Sequence, residues 1–176
     1  MSVLETFPVA SPVQGVVVLE PLRVDHAAEM AVLLDDPALH EFIGGTPASE
    51  AELTERYRRQ TVGWSGDRSE RWLNWVVRPE PGGPIVGTVQ ATVTVDDGRL
   101  AAEVAWVVAT GHQGRGYAKA ATSVMVGWLL AQGVAVLVAH VHPDHRASQG
   151  VAASVGMANT RTVVDGEERW QSVRTR

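Results

Sequence analysis

The sequence contains no cysteine among its 176 residues. Disulfide bridges, thiolate zinc sites, iron–sulfur clusters and cysteine nucleophiles are therefore excluded, and nothing demands an oxidising compartment. No stretch approaches the roughly 18 consecutive apolar residues of a membrane span, and the N-terminus has neither the basic nor the apolar region of a secretory signal. We expect a cytoplasmic protein that is neither a secreted precursor nor an integral membrane protein.

The chain also lacks an excess of basic residues. Its 15 Lys and Arg stand against 20 Asp and Glu, which gives a net charge of −5. Proteins that bind nucleic acid or anionic lipid usually carry basic surfaces, so we expect neither partner. With 45% hydrophobic and 20% charged residues, the composition is that of a globular protein, and the length fits one domain.

Local patterns predict an α/β (α+β) domain over residues 16–176, after a flexible N-terminal arm over residues 1–15 that is interrupted by Pro8, Pro12 and Gly15. The capping signals Asp36-Pro37 and Ser49-x-x-Glu52 begin two helices, and Asp97-Gly98 predicts a hairpin. The predicted strands are 16–19, 73–78, 85–95, 100–108, 134–141, 160–164 and 168–173. The predicted helices are 25–34, 36–44, 49–61, 116–132 and 147–155.

One segment combines the features of a phosphate-binding loop. Between the strand ending at Val108 and the helix beginning near Gly116, glycines at 111, 114 and 116 permit unusual backbone angles. Several N–H groups should converge there at the positive end of the helix dipole. Tyr117-Ala118 stands where a P-loop has Lys and Ser or Thr, and Lys119 stands where a dinucleotide fingerprint has its third glycine. Both of those phosphate-binding motifs are therefore excluded.

The remaining pattern, Gln113-x-x-Gly116-x-Ala118, resembles the pyrophosphate loop of the GNAT N-acetyltransferase superfamily, Gln/Arg-x-x-Gly-x-Gly/Ala. The predicted order of elements is similar to the whole GNAT fold over residues 16–174. Two segments also resemble the ribosomal-protein N-terminal (RimJ/RimL-like) branch: Glu103-Val104-Ala105-Trp106, and His142-Pro143-Asp144-His145-Arg146-Ala147-Ser148 followed by Val151-Ala152 and Gly156-Met157. The resemblance implies a mixed, mostly antiparallel sheet of six to seven strands, flanked by about four helices, with strands 4 and 5 splayed apart.

The resemblance implies acetyl-CoA as co-substrate, and we expect no metal. Its pyrophosphate would lie on the backbone amides of residues 113–118, and its pantetheine between the strands that end at Val108 and Val141. His145 stands where the branch has asparagine, whose amide contacts the pantetheine or braces the strand end, and an imidazole replaces only part of that function. The residues expected to contact the donor are Trp106, Val107, Val108, Gln113, Gly114, Arg115, Gly116, Tyr117, Ala118, Lys119, His142 and His145.

Acetyl transfer to an amine needs a neutral nucleophile, a donor for the oxyanion and a proton for the departing thiolate. Glu103 is the only acid in residues 100–108, and strand alternation places it with Ala105 and Val107, so we expect a raised pKa and a general-base role. The backbone N–H of Val107 or Val108 would bind the oxyanion. Ser148 matches the family position facing the sulfur and would protonate the thiolate. The structural alternatives are a solvent-facing Glu103 and a helix-capping Ser148.

Other residues have less specific interpretations. The spacing His140-x-His142-x-x-His145 raises the alternative of a zinc site. Because no acid or further ligand is nearby, contact of these histidines with the core or the cofactor is favoured. Phe42, Trp72 and Trp75 are candidates for the acceptor site because aromatic walls suit a cationic amine, although tryptophan more commonly packs in the core.

The sequence therefore favours an acetyl-CoA-dependent N-acetyltransferase that acts by direct attack, with no acyl-enzyme intermediate. The acceptor would be a primary amine, either a protein N-terminus or a small molecule, and the enzyme would be a monomer or a homodimer. The alternative is a non-catalytic acyl-CoA-binding sensor or scaffold, which the His145 departure would suit. The presence of Glu103 and Ser148 favours the enzyme.

Overall fold

The computed structural model describes residues 3–172, which form one mixed eight-stranded sheet and five α-helices. The strands are β1 (Val13–Gln14), β2 (Val18–Pro21), β3 (Arg71–Arg78), β4 (Gly87–Asp96), β5 (Arg99–Val108), β6 (Val136–Val141), β7 (Met157–Val164) and β8 (Glu167–Ser172). The helices are α1 (Ala27–Leu33), α2 (Pro37–Ile43), α3 (Glu50–Gln60), α4 (Tyr117–Ala131) and α5 (Arg146–Ser154). No helix within these residues is long and apolar enough to cross a membrane.

The predicted fold class is confirmed. The strands lie in the order β1-β2-β3-β4-β5-β6-β8-β7, and every neighbouring pair is antiparallel except β5 and β6. The sheet has one strand more than the seven expected, because β1 lies in the segment predicted to be an arm. The expected end of the last strand, Val173, lies outside the described residues.

Two side chains within residues 3–15, the described part of the predicted N-terminal arm, pack in the core. Leu4 and Phe7 are 3% and 5% exposed and belong to the main core. The indole Nε1 of Trp75 donates a hydrogen bond to the carbonyl oxygen of Ser11 at 2.8 Å. Proline and glycine remove the periodicity from which a strand or helix is predicted, but they do not stop apolar side chains from filling the core.

Local signals set most helix and turn boundaries. Asp36 caps α2 by accepting a hydrogen bond from the Ala38 amide at 2.9 Å, and Ser49 with Glu52 forms the capping box of α3. Asp97 and Gly98 both have positive φ, 46° and 72°, as the predicted hairpin requires. The first helix differs from its prediction, because Asp25 lies within a short 3₁₀ turn and α1 begins only at Ala27.

The sheet buries apolar side chains on both faces, but unequally. On one face, Leu73, Trp75 and Val89 pack with Met125 and Leu129 of α4. On the other face, α1 and α3 cover the region around Val76 of β3. Because these helices do not extend over β4 and β5, the outward residues Gln90, Glu103 and Ala105 remain exposed. We call this region the open face.

The strands β5 and β6 pair only near their starts. Their register joins Ala101 to Val136, Ala102 to Leu137 and Glu103 to Val138, and no later residues of the two strands are partners. Beyond that point β5 continues beside β4 as far as Val108, and β6 continues beside β8 as far as Val141. The resulting gap lies between residues 104–108 and 139–141. It is the separation predicted for the fourth and fifth strands of the sequence, which are β5 and β6 here. We call it the cleft.

Candidate active site

The backbone of β5 presents hydrogen-bonding groups to the cleft. The carbonyl of Leu100 accepts from the Ala135 amide at 2.8 Å, whereas the Ala109 amide donates to Val86 on the opposite side at 3.0 Å. Since backbone groups alternate sides along a strand, even-numbered residues of β5 face β6 and odd-numbered residues face β4. Of the two predicted oxyanion donors, Val107 and Val108, the alternation therefore directs only the Val108 N–H into the cleft.

Gln113 connects the glycine loop to the end of β5. Its side-chain Nε2 donates a hydrogen bond to the carbonyl oxygen of Val108 at 3.0 Å. This bond satisfies the Val108 carbonyl at the end of β5, where β6 no longer pairs with the strand. The first residue of the predicted loop motif thus fixes the loop against the strand.

The glycine loop leaves the N-terminus of α4 open. Gly114 and Gly116 have φ values of 73° and 82°, in the left-handed region that favours glycine, and a Cβ at either position would meet nothing within 4 Å. Gly116 precedes α4 without providing a side-chain cap, so the first amides of a 15-residue helix are available to an anion. Arg115 and Lys119 are exposed beside them, while Tyr117 packs against the main core.

Glu103 lies at the narrow end of the cleft, paired with a histidine. The Nδ1 of His140 is 3.2 Å from Oε1 of Glu103, and this contact joins β5 to β6 where their backbone pairing stops. The Glu103 side chain is 60% exposed and that of His140 is 21% exposed. The apolar surroundings expected for Glu103 are therefore absent, because no helix covers this part of the open face.

Ser148 and His145 occupy the start of α5, on the other side of the cleft. The Trp106 indole Nε1 donates to Ser148 Oγ at 3.3 Å, and the Ser148 amide donates to His145 Nδ1 at 3.3 Å. His145, rather than Ser148, is therefore the capping residue of α5. Burial lowers the pKa of His145, which favours the neutral imidazole that this cap requires.

At the wide end of the cleft, the helix α2 lies beside the glycine loop and beside the segment that joins β6 to α5. The Phe42 ring centroid is 4.3 Å from that of His145 and 5.5 Å from that of His142. At the other end of α2, a hydrogen bond from the Thr110 side chain lowers the pKa of Asp36. Phe42 therefore lies beside the histidines that border the wide end of the cleft.

The two tryptophans predicted for the acceptor site lie on opposite faces of the sheet. Trp72 belongs to the open face, in the cross-strand row that continues through Thr92 to Glu103 two strands away, about 10 Å. Trp75 is 1% exposed in the main core, on the α4 face. The assignment of Trp75 to the acceptor site is wrong, because the three-residue spacing from Trp72 reverses the side of the strand.

The three histidines considered as zinc ligands have separate partners. His140 contacts Glu103, His142 Nδ1 accepts from the Asp144 amide at 3.2 Å, and His145 caps α5. Across residues 3–172, no group of three or more His, Asp or Glu side chains is arranged to hold a metal ion.

Sequence reasoning missed two features of this region. The pairing of His140 with Glu103 joins residues 37 positions apart, and no local signal indicates it. Gly87, at the start of β4, lies so close to β5 that a Cβ would be 2.2 Å from the Val107 carbonyl oxygen. An isolated glycine in a strand pattern does signal a close backbone approach, and that signal was present.

Comparison with known proteins gives a family match across most of the chain. Residues 17–158 match the family model described as acetyltransferase (GNAT) domain. No protein of curated function matches the sequence significantly.

Solved structures share the fold at low sequence identity. The microcin C7 self-immunity acetyltransferase MccE, in complex with acetyl-CoA and AMP, has a TM-score of 0.74 and 12% identity, covering 92% of this chain and 94% of that one. RimJ of Mycobacterium smegmatis, in complex with CoA-disulfide, has a TM-score of 0.72 and 22% identity, covering 94% and 87%. The aminoglycoside acetyltransferase AAC(6')-Ib, in complex with coenzyme A, has a TM-score of 0.72 and 16% identity, covering 90% and 95%.

Proposed function

Because this chain belongs to the GNAT acetyltransferase family, we propose that it is an acetyl-CoA-dependent N-acetyltransferase that acts by direct attack of a primary amine on the thioester. The observation that carries the proposal is the open N-terminus of α4 directly beside the cleft. The N-terminus of α4 suits a diphosphate, and the cleft exposes the strand-edge groups of β5. Together they suit a donor with both a diphosphate and an amide-bearing arm.

Donor binding uses backbone groups more than side chains. The pyrophosphate accepts hydrogen bonds from the amides of residues 113–118, and Arg115 and Lys119 add positive charge. The pantetheine amides pair with the free backbone edge that β5 presents to the cleft, as an added strand would. His142 and His145 line the opposite side of the cleft. Neither the core packing nor the histidines require a metal in this arrangement.

The chemistry follows from three groups around the thioester. Glu103 takes a proton from the incoming ammonium, directly or through water, and the neutral amine nitrogen attacks the carbonyl carbon. The Val108 N–H stabilises the oxyanion that forms. As the intermediate collapses, the C–S bond breaks with its electron pair on sulfur, and the Ser148 hydroxyl donates to the thiolate.

The acceptor reaches Glu103 across the open face. We assign the acceptor walls to Phe42 of α2, at the wide end of the cleft, and to Trp72 of β3, on the open face. The 60% exposure of the Glu103 side chain favours a broad groove over a closed pocket. Such a groove suits a peptide, so a protein N-terminus is the acceptor class favoured here, in keeping with the resemblance to the RimJ/RimL-like branch. A small-molecule amine is the competing acceptor class.

Calorimetric titration tests the donor first. Acetyl-CoA and coenzyme A should bind in the micromolar range, while ATP and NAD should not. The variant Gly116→Val provides a control, because a β-branched residue is strained at a φ of 82° and should weaken acetyl-CoA binding without unfolding the sheet. If acetyl-CoA produces no heat of binding and no thermal shift, the proposal is rejected.

Thiol release then tests turnover and acceptor class. The chain has no cysteine, so a thiol-reactive dye gives no background from the enzyme. Peptides with free N-termini should release coenzyme A faster than aminoglycosides or polyamines, and the same peptides with blocked N-termini should release none. Acetyl-CoA binding without release from any of these amines would instead identify an acyl-CoA sensor.

A further inference from the structure

The two sides of the cleft are joined by a side-chain hydrogen bond from Trp106 of β5 to Ser148 of α5. Nε1 of Trp106 lies 3.3 Å from Oγ of Ser148, although the residues are 42 positions apart. We propose that Trp106 is a positioning residue: its indole N–H holds the Ser148 hydroxyl with its hydrogen directed to the leaving sulfur. This inference rests on the proposed transferase function and assigns a side-chain role beyond the backbone contact expected of Trp106.

The chemistry of the indole fixes the direction of this bond. An indole N–H can only donate, whereas a serine hydroxyl can both donate and accept. Ser148 Oγ is therefore the acceptor, and its own hydrogen is not used in the bond. A tyrosine or a second serine in place of Trp106 would permit the opposite direction and would not fix the orientation of the hydroxyl.

The Ser148 hydrogen has no competing acceptor in the part of the chain that the structure describes. Serines within helices often donate to the carbonyl oxygen four residues earlier, which for Ser148 is Asp144. No hydrogen bond of this kind is formed, and across residues 3–172 the only hydrogen-bond partner of the Ser148 hydroxyl is Trp106. The backbone of Ser148 is held separately, because its amide donates to His145. The hydroxyl is thus fixed on one side and free on the other.

Partial burial strengthens the effect. Trp106 and Ser148 are both half-buried, so their hydrogen bond is less exposed to competition from water. A hydroxyl that accepts a hydrogen bond is polarised and becomes a better donor. Ser148 is therefore prepared to stabilise negative charge on sulfur.

The step that this arrangement assists is loss of the thiolate. The C–N bond has formed and the amine proton is on Glu103; the C–S bond then breaks and its electron pair moves to sulfur. Ser148 donates its hydrogen to the sulfur, and coenzyme A leaves as the thiol. The attacking nitrogen still carries one hydrogen more than the amide product, and this proton passes through water to the Ser148 oxygen, which restores the serine hydroxyl. Trp106 exchanges no proton in this step, so its contribution acts entirely through Ser148.

The variant Trp106→Phe tests the inference, because phenylalanine keeps the ring and removes the N–H. We expect kcat to fall about five- to tenfold, the rate equivalent of one hydrogen bond, while KM for acetyl-CoA changes less than twofold. Ser148→Ala should lower kcat at least as much. The double variant should be no slower than Ser148→Ala alone, because the two residues act in one step. Trp128→Phe, on α4 and outside the cleft, is the matched control and should keep wild-type kcat.

The leaving group provides a readout that loss of packing would not change. With an acetyl thioester of an acidic aromatic thiol, the thiolate needs little stabilisation, so Trp106→Phe and Ser148→Ala should both approach the wild-type rate. An equal deficit with alkyl and aryl thioesters, or a double variant much slower than Ser148→Ala, would overturn the positioning role. Wild-type protein that neither binds acetyl-CoA nor releases thiol would instead overturn the proposed function, so the two failures are distinct.

Discussion

The backbone at Gly87 passes so close to β5 that a Cβ there would lie 2.2 Å from the carbonyl oxygen of Val107. The same Cβ would be 3.0 Å from the Cα of Val108. The first distance is shorter than real Cβ contacts allow and the second is tighter than most of them, and the atoms that would be displaced are backbone atoms. Gly87 therefore determines how closely β4 supports the part of β5 that borders the cleft.

Gly87→Ala should impair catalysis through this contact. The added methyl group must push residues 107 and 108 toward the cleft, which displaces the Val108 N–H from the oxyanion position. We expect kcat/KM to fall about 10- to 100-fold, as when an oxyanion donor is displaced, measured by thiol release. Gly127→Ala is the matched control, because Gly127 lies on the exposed side of α4 with nothing within 4 Å of its Cβ position. It should keep full activity and gain a few tenths to about 1 kcal/mol of stability.

Glu103→Gln should lower turnover in a pH-dependent way. Loss of a general base costs about 10²- to 10⁴-fold at neutral pH, and the loss should shrink at high pH, where the amine is already neutral. His140→Ala should cause a smaller loss, and its effect should largely vanish in the Glu103→Gln background, because the 3.2 Å contact orients that carboxylate. Each of these variants retains Arg169, which is the cross-strand partner of His140 on β8. An identical pH profile for wild type and Glu103→Gln would remove Glu103 from the base role.

His145 should make stability depend on pH near neutrality. Burial lowers the pKa of His145 below its ordinary value of 6.5, so the unfolded chain binds a proton before the folded one does. As the pH falls below about 6.5, this residue therefore costs stability. His145→Asn keeps a capping oxygen for the Ser148 amide and cannot be protonated, so its melting temperature should fall less than that of wild type between pH 7.5 and 5.5. His145→Ala should be about 1 kcal/mol less stable than wild type at pH 7.5 because the cap is lost, and this difference should shrink toward pH 5.5, where wild type bears the cost of protonating His145.

Glu20 should contribute to stability mainly above acidic pH. Burial alone would raise the pKa of Glu20, but hydrogen bonds and charges from Arg78 and Arg23 outweigh burial and lower that pKa from 4.5 to about 2. The ionised carboxylate therefore stabilises the fold above about pH 4.5, and this stabilisation is lost as the pH falls toward 2.

Denaturant titration of Glu20→Gln measures this contribution. The variant should be about 1–3 kcal/mol less stable than wild type at pH 7, and this difference should shrink steadily as the pH falls from about 4.5 toward 2. Glu55→Gln is the control: Glu55 is 60% exposed and pairs only with the exposed Arg58 on α3, so the substitution should cost under about 0.5 kcal/mol. A constant difference between wild type and Glu20→Gln from pH 7 to 2.5 would contradict the ion-pair account.

Helices and turns were predictable from the sequence where the residues that determine them are close together in the chain. The caps at Asp36 and Ser49 and the hairpin at Asp97-Gly98 each depend on neighbours within a few residues, and all three were predicted. The environment of Glu103 was not, because its exposure depends on how far α1 and α3 extend over the sheet. The Glu103–His140 and Trp106–Ser148 contacts join distant positions and become apparent only when β5 and β6 separate.

Trp72 and Trp75 illustrate a different limit. Alternation along β3 already places the two side chains on opposite faces, and the sequence pattern contained that information. Grouping them by residue type, as aromatic walls for a cationic amine, overrode the pattern. The packing of Leu4 and Phe7 could not have been inferred in this way, because no periodicity accompanies them.

The contacts of α2 have a kinetic consequence. This helix is held by Thr110 before the glycine loop and by His145 after β6, so the wall that an amine must meet is supported by the two segments that border the donor. Bound acetyl-CoA would stabilise both of these segments at once, whereas an amine that arrives first would meet segments that no donor stabilises. We therefore expect an ordered sequence of arrival, acetyl-CoA before the amine, so that an unreactive acceptor analogue inhibits uncompetitively against acetyl-CoA.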